Sequence, residues 1–392
     1  MNKKFFIIGG LAVILLLLGV WVYLLVYGAP ATTDDIFANL GTEGEVTEGD
    51  IVVPPVVIEE SPVVNVDAGR LRQLTTGPVA GFREVQLSTT TPALIYYVEM
   101  GTGHVYTINT ESGETLRVSA TTFPQTIAAE ISNTGRYYAM RSASASKSTP
   151  LTVGTISTST VSITKSYEGT ALDVAFNNNE ELYILSREAD TSSAVTYNLQ
   201  SNSSALLFTL PFLEAKVEWG KERGDSHLVY PKPATALEGQ LYEISGDTLT
   251  RLPVQGLGLT ALKSGNITLY NVIEGRRLKS YFFDHSFGVK ESLDSAVLVE
   301  KCTGAADEGV FICAQDGSKT NLHNQEDWYA GEITFADSVW LLDGNSLTGE
   351  LLFDTLEESG RQIDIINLDL NDTGEVLYFI NKLDNTLWMY EL

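Results

Sequence analysis

The sequence predicts an all-β fold, and three observations support this prediction. From Arg70 onward, short stretches of alternating apolar and polar residues are separated by turns rich in Gly, Asn, Asp and Ser. No stretch of this region has the apolar spacing of a helix. A four-strand pattern also recurs, with starts near residues 82, 126, 171, 214, 258, 295 and 363, most of them 43–45 residues apart.

The length of this repeat indicates how the strands are arranged. Four antiparallel strands in just over forty residues are typical of one β-propeller blade, which takes about 40–45 residues in WD-type repeats. Seven starts therefore predict a seven-bladed β-propeller of four-stranded antiparallel blades over residues 70–392. The last repeat lacks one strand, and residues 70–75 form an extra strand before the first repeat. We expect residues 70–75 to pair with residues 386–392, which closes the ring and leaves no open sheet edge.

Two turn segments carry a resemblance to known families. ISNTGRYYAM (residues 131–140) and LDLNDTGEVLYFI (residues 368–380) both place Asn, Thr and Gly before an apolar strand. In these turns the sequence resembles WD-repeat and TolB-type propellers. It also resembles exported, single-span bacterial propellers of unknown function. The resemblance implies a propeller fold and a location outside the cytoplasm, and it implies no activity.

The N-terminal residues predict a membrane anchor. Residues 5–27 contain no charged residue and follow Lys3 and Lys4. About 20 apolar residues suffice to cross the roughly 30 Å hydrocarbon layer, and lysines favour the cytoplasmic side. The sequence therefore predicts that residues 1–27 form a cytoplasmic stub and a transmembrane helix, with the propeller outside the cytoplasm. The alternative is a cleaved signal peptide, since residues 29–31 (Ala-Pro-Ala) resemble a cleavage site.

Residues 28–69 predict a flexible linker between the anchor and the propeller. They contain Asp, Glu and several prolines but no Lys or Arg, and proline favours extended chain. The alternative is a partner-binding strand at residues 51–57, which are apolar enough to pair with the edge of another sheet.

Charge and composition exclude several classes of function. The chain has 50 acidic and 25 basic residues and a net charge of −25, so no basic face is available for nucleic acid. The four histidines lie in different repeats, and no metal site is predicted. Because no nucleophile elbow or phosphate-binding glycine loop occurs, we predict no catalytic residue and no cofactor.

Cys302 and Cys313 are the two cysteines of the chain, and they lie on opposite arms of a predicted hairpin. Centring its turn on residues 307 and 308 places them in opposed positions, where side chains are close enough for a bridge. In an exported domain the sequence favours a structural disulfide. The alternative is a pair of buried thiols.

A long polar connection in the sixth repeat, residues 314–333, is the candidate binding loop. Such loops on a rigid scaffold often carry binding residues, and this one is expected at the face where the central funnel opens. The aromatic side chains could stack on a sugar or a partner, and the carboxylates could accept hydrogen bonds or bind cations. Alternatively, the aromatic pair plugs the funnel or packs on a neighbouring blade. The candidate residues are His323, Asn324, Glu326, Asp327, Trp328 and Tyr329.

These observations together predict a membrane-anchored extracytoplasmic propeller that acts as a binding or assembly module. Its expected partner is a protein or a glycan at the funnel face. The competing hypothesis is a cell-envelope glycan hydrolase or lyase, with its acid and base carboxylates gathered in the funnel. A third possibility is a structural brace whose anchor packs against another helix through Gly9, Gly10 and Gly19.

Overall fold

The computed structural model describes Leu18 and residues 69–392, apart from residues 89–90, 120, 145–147, 158–160, 168, 276 and 318–324. The predicted membrane span and almost all of the predicted linker lie outside the described residues, and both stay predictions. Within the described part of the chain, no helix has the length and apolarity needed to cross a membrane.

Antiparallel β-sheet makes up most of the described structure, which confirms the all-β prediction. The described residues contain 27 strands in six sheets, of which five have four strands and one has seven. They also contain two short α-helices, α1 (Gln325–Ala330) and α2 (Thr355–Ser359), and a 3₁₀ turn at Val299–Lys301.

The strands follow one another in chain order within the sheets. The first sheet contains β2 (Val79–Val85), β3 (Leu94–Glu99), β4 (Val105–Asn109) and β5 (Thr115–Arg117). The second contains β6 (Thr126–Ile131), β7 (Tyr137–Ser142), β8 (Leu151–Ile156) and β9 (Val161–Tyr167). The third contains β10 (Thr170–Phe176), β11 (Glu181–Arg187), β12 (Ser192–Asn198) and β13 (Ser203–Leu210).

The other three sheets include the large one and the one that contains both ends of the domain. The seven-stranded sheet contains β14 (Ala215–Glu218), β15 (His227–Pro231), β16 (Glu238–Ser245), β17 (Thr248–Ser264), β18 (Ile267–Glu274), β19 (Arg277–Asp284) and β20 (Val289–Ser292). The next contains β21 (Cys302–Gly304), β22 (Val310–Asp316), β23 (Asp337–Asp343) and β24 (Thr348–Asp354). The last joins β1 (Leu71–Gln73) to β27 (Thr386–Glu391), β26 (Val376–Asn381) and β25 (Ile365–Leu370), in that order.

The seven-stranded sheet arises because β17 belongs to two successive groups of strands. Its residues 248–257 pair with β16, and its residues 257–264 pair with β18. The register shifts between Leu257 and Thr260, where Gly258 has a φ of +61° that favours glycine. A Cβ at position 258 would also lie 2.6 Å from Gln325 Nε2. This continuous strand differs from the separate four-stranded sheets that the sequence predicts.

The first strands of the successive groups follow one another around a central space, which we call the channel. β2 contacts β6, β6 contacts β10, and the series continues through β14, β17, β21 and β25. Arg83 of β2 and Asp369 of β25 form an ion pair, with 3.3 Å between Nη1 and Oδ2, so the series returns to its start. Side chains that leave these strands toward the centre therefore face one another.

The last sheet contains strands from both ends of the domain. β1 pairs with β27, with Leu71 opposite Tyr390 and Gln73 opposite Trp388. The amide of Leu74 also donates a hydrogen bond to the carbonyl of Leu387, at 2.8 Å. These strands lie in the two segments that the sequence expects to meet.

Apolar side chains fill the spaces between neighbouring sheets. One cluster joins Val98 of the first sheet to Tyr138 of the second, and another packs Ile95 against Tyr378 of the last sheet. Because sheets in the ring are covered on both faces, strands such as β26 are apolar at almost every position.

Cys302 and Cys313 form a disulfide that links β21 to β22. The two residues are directly opposite each other in the antiparallel pair, and their Cα atoms are 4.1 Å apart.

Candidate functional site

The long connection between β22 and β23 places α1 against several sheets. Glu326, Asp327, Trp328 and Tyr329 all lie on α1. His323 and Asn324 lie outside the described residues, so their role in binding stays a prediction.

Trp328 is part of the interior, with 4% of its surface exposed. Its ring packs with Leu278, Leu298 and Phe335. Its Nε1 donates to the carboxylate of Asp364, with distances of 3.0 and 2.9 Å to the two oxygens. The indole therefore offers no stacking surface to a ligand in this conformation. It packs on neighbouring sheets, which is the alternative that the sequence leaves open.

Polar side chains of α1 connect it to the seven-stranded sheet. Glu326 Oε1 accepts a hydrogen bond from the amide of Thr235, at 2.7 Å. Gln325 Nε2 donates to the carbonyl of Gly258, at 2.9 Å, where β17 bends. The carbonyl of Asp327 accepts from the amide of Glu332 at 2.8 Å, just beyond the end of the helix. In this conformation Glu326 therefore contributes to holding α1 in place.

A buried ion cluster holds the other side of α1. Lys301 Nζ lies 2.7 Å from Asp337 Oδ2 and 2.5 Å from Asp364 Oδ1, and all three side chains are at most 1% exposed. The amide of Ile365 donates to Asp337 Oδ2, at 2.6 Å. Burial raises the pKa of Asp337 to about 6, although the charge and the hydrogen bond of Lys301 lower it. Because Asp364 also accepts from Trp328, this cluster fixes the position of α1.

Tyr329 is the candidate residue that reaches the channel. It is 39% exposed, and its hydroxyl donates to Oε1 of Glu300. Burial and the neighbouring carboxylate of Glu300 raise the pKa of Tyr329. The charge of Glu300 also contributes to a raised pKa of Tyr230, and the charges of Glu218 and Asp173 act on Tyr230 in the same direction. Tyr329 therefore lies beside a group of acidic side chains from other sheets.

These acidic side chains lie on the first strands around the channel or, for Glu300, just before one of them. Each is half-buried, and their charges act on one another across sheet boundaries. The set comprises Glu130 of β6, Asp173 of β10, Glu218 of β14, Glu300 just before β21, and Asp369 of β25. We call these five residues the channel carboxylates.

Burial shifts the pKa values of four channel carboxylates upward. It raises the pKa of Glu130 to about 7 and that of Glu218 to about 8. The charge of Asp173 contributes to both shifts, and the pKa of Asp173 itself is raised by burial. Burial also raises the pKa of Glu300. Strongly shifted pKa values are typical of functional sites.

Basic side chains balance only part of this negative charge. Arg83 pairs with Asp369 and also lowers the pKa of Glu130. Arg141 also lowers the pKa of Glu130. Its Nη1 donates a hydrogen bond to the carbonyl of Leu172, at 2.9 Å. Burial outweighs both guanidinium groups, because the pKa of Glu130 remains raised. Lys216 likewise lowers the pKa values of Asp173 and Glu300, and Lys221 lowers that of Glu218, but burial keeps all three raised.

The sequence contains a signal for this site that the repeat analysis missed. The first strand of several groups carries one acidic residue, among largely apolar neighbours in TIAAEI of β6 and TALDVAF of β10, and together with Lys216 in AKVE of β14. An acid that recurs on the innermost strand of several repeats predicts charged side chains around the axis of a ring.

No group of three or more His, Cys, Asp or Glu side chains is placed to hold a metal ion within the described part of the chain. Residues 369–374 include the end of β25 and the turn that precedes β26. There Asn371 Oδ1 accepts hydrogen bonds from the amides of Glu375 and Val376.

Comparisons with known proteins identify the fold. No protein-family model matches this chain, and no curated protein matches it. Solved structures do match. The β-propeller domain of the Trilobed protease from Pyrococcus furiosus has a TM-score of 0.51 and 11% sequence identity, over 80% of this chain and 95% of that chain.

Two lyases are also similar in structure. Oligogalacturonate lyase from Vibrio parahaemolyticus has a TM-score of 0.53 and 9% identity, over 82% of this chain and 93% of that chain. Virginiamycin B lyase from Staphylococcus aureus has a TM-score of 0.52 and 12% identity, over 82% of this chain and 98% of that chain. Identities this low show the fold alone. The chain therefore has a β-propeller fold, as its repeat predicts.

Proposed function

We propose that this protein is a membrane-anchored extracytoplasmic β-propeller that binds a basic segment of a protein partner in its central channel. The uncharged residues 5–27 and the preceding lysines support a single span with a cytoplasmic N-terminus. The acidic residues 28–69 support a linker that holds the propeller away from the anionic membrane surface.

We further propose that the propeller has seven blades. The two groups of strands that share β17 count as two blades in this interpretation, with residues 248–257 as the outer strand of one and residues 257–264 as the inner strand of the next. The five four-stranded sheets supply the other blades. The sharp bend at Gly258 supports this division.

The observation that carries the binding proposal is the set of channel carboxylates. Four of the five have raised pKa values, so their charged forms are poorly compensated in the free protein. A lysine or arginine side chain that enters the channel supplies the missing charge and forms charge-assisted hydrogen bonds. Tyr329 adds a phenol at the same place, next to Glu300.

Affinity for a basic probe is expected to increase with pH. Glu130 and Glu218, with pKa values of about 7 and 8, are mostly protonated at pH 6 and mostly ionised at pH 8.5. Ionised carboxylates attract cations, so we expect a fluorescent oligolysine peptide to bind at least tenfold more tightly at pH 8.5, measured by anisotropy at fixed ionic strength. The variant Glu130→Gln/Glu218→Gln should lose most of this increase.

The matched control is Glu111→Gln/Glu350→Gln, which removes two exposed carboxylates and changes the net charge equally. It should keep the pH dependence. Equal affinity at both pH values in the unaltered protein, or equal losses in the two double variants, would rule out the channel as the binding site.

One observation favours a second candidate function, a cell-envelope glycan hydrolase or lyase. Glu130 and Glu218 both have raised pKa values suited to general acid catalysis, and Asp173 acts electrostatically on both. Two similar folds belong to proteins named as lyases. Under this proposal, incubation with polygalacturonate or peptidoglycan fragments should release products that chromatography detects, and Glu218→Gln should abolish their release. Failure of the purified protein to release product from either glycan would contradict it.

A further inference from the structure

We infer that a second binding site, for a neutral carbohydrate, lies between the third sheet and the seven-stranded sheet. A cavity of about 380 Å³ opens there, lined by Glu181 and Tyr183 of β11, Phe208 of β13, His227 of β15, and Arg223 of the β14–β15 loop. This inference goes beyond the proposed function, because none of these residues belongs to the channel carboxylates.

The cavity lies on the opposite face of the propeller from α1. Its residues come from the ends of strands where the first strand connects to the second, or the third connects to the fourth. α1 lies instead in a connection from a second to a third strand. Because consecutive antiparallel strands reverse direction, these two kinds of connection emerge at opposite ends of a sheet. The two sites can therefore be tested separately.

A fixed carboxylate is the main polar feature of the cavity. The side chain of Glu181 is 9% exposed, and its Oε2 accepts a hydrogen bond from Asn177 Nδ2 at 3.2 Å. Asn177 Oδ1 also accepts from the amide of Glu181, at 2.9 Å. The other oxygen, Oε1, lies 3.7 Å from Arg223 Nη1, which is beyond hydrogen-bond distance. Glu181 is thus held in position and retains acceptor capacity beside the cavity.

Aromatic side chains form the apolar wall of the cavity. Tyr183 stacks on Trp219 with 5.0 Å between ring centroids, and half-buried Phe208 lies 5.9 Å from the ring of His227. His227 Nδ1 accepts from the amide of Gly220 at 3.0 Å, which leaves the imidazole proton on Nε2. Burial lowers the pKa of His227, which favours the neutral form of its ring.

This combination of groups favours a sugar over a charged ligand. The apolar face of a pyranose ring packs on aromatic side chains, while its hydroxyls donate to a carboxylate and accept from a guanidinium. Glu181 and Asp225 disfavour an anion, and the exposed guanidinium of Arg223 disfavours a cation. The volume is at the lower end of the roughly 300–1,000 Å³ of small-molecule sites, which suits one or two sugar rings.

Saturation-transfer NMR on the chain of residues 1–392 tests this inference, in a detergent without a sugar headgroup. The probes are glucose, galactose, mannose and N-acetylglucosamine. We expect at least one of them to bind with a Kd of about 1 mM, which is the affinity of a small contact area. Glu181→Gln should weaken this binding at least tenfold, because the amide replaces a charged acceptor with a poorer one.

Two further variants, one in the cavity and one outside it, test the site independently of Glu181. Arg223 is 78% exposed, so Arg223→Ala leaves the fold intact and should weaken binding at least threefold even if Glu181→Gln is unstable. Glu188→Gln changes an exposed carboxylate just beyond the other end of β11 and should have no effect. The inference is wrong if none of the four sugars binds the unaltered protein, or if Arg223→Ala binds the sugar as tightly as Glu188→Gln does.

Discussion

Replacement of Lys301 with methionine is expected to destabilise the protein by about 3–5 kcal/mol, because it leaves two buried carboxylates without their cation. Lys301 Nζ contacts both Asp337 and Asp364, and none of the three side chains is more than 1% exposed. Methionine has a similar length, so the loss of charge outweighs the change in packing. Urea unfolding monitored by circular dichroism should show a lower midpoint with little change in slope.

The pH dependence of this loss provides an internal check. Asp337 has a raised pKa of about 6 even beside Lys301, so without the lysine it takes up a proton more readily still. The destabilisation should therefore be smaller at pH 5 than at pH 8. Lys290→Met, at an exposed position on β20, is the matched control and should be nearly neutral. A loss below about 1 kcal/mol for Lys301→Met would show that the cluster contributes little to stability.

Removal of β1 is the second change for which we expect a large effect. A chain of residues 77–392 should unfold at least about 4 kcal/mol more easily than a chain of residues 69–392. The estimate combines burial of Leu71, worth about 1.5–3 kcal/mol, with several backbone hydrogen bonds at about 0.5–1.5 kcal/mol each. Leu71 is 7% exposed and packs in the same cluster as Phe353 and Tyr390. The amide of Leu387 also loses its acceptor, Oγ1 of Thr75, at 3.0 Å.

The shorter chain should also self-associate, because β27 then becomes an open edge that pairs with other molecules. Thermal unfolding and light scattering at two protein concentrations measure both effects. Similar melting temperatures and no concentration dependence would show that ring closure through β1 is dispensable.

The sequence predicts the propeller because its repeat produces the same local structure many times. Alternating residues bounded by turns such as NDTG identify individual strands, and the repeat length identifies how they group. The two cysteines are placed opposite each other by counting from a single turn, which needs no long-range information. Predictions that depend on local spacing therefore agree well with the structure.

Features that depend on contacts between repeats are harder to predict. Glu130 and Asp173 look like ordinary polar positions of half-buried strands, because periodicity alone does not distinguish a central channel from outer solvent. The six residues of α1 are too few to show a helical period. The sequence leaves open whether Trp328 contacts a ligand or packs on a neighbouring blade, and in the structure the buried Asp364, just before β25, holds its indole in the interior. Only the packing of distant segments reveals this role.

The continuity of β17 makes two groups of strands a single cooperative unit. A four-stranded sheet in the ring can fray at its outer strand while its neighbour stays intact. The outer strand of the group that begins with β14 is instead the inner strand of the next group, so its loss breaks the hydrogen bonds of both. We therefore expect amide protons of β16 and β18 to exchange with solvent through a shared opening. Gln325 of α1 bonds to this strand at Gly258, which makes the bend part of the same unit.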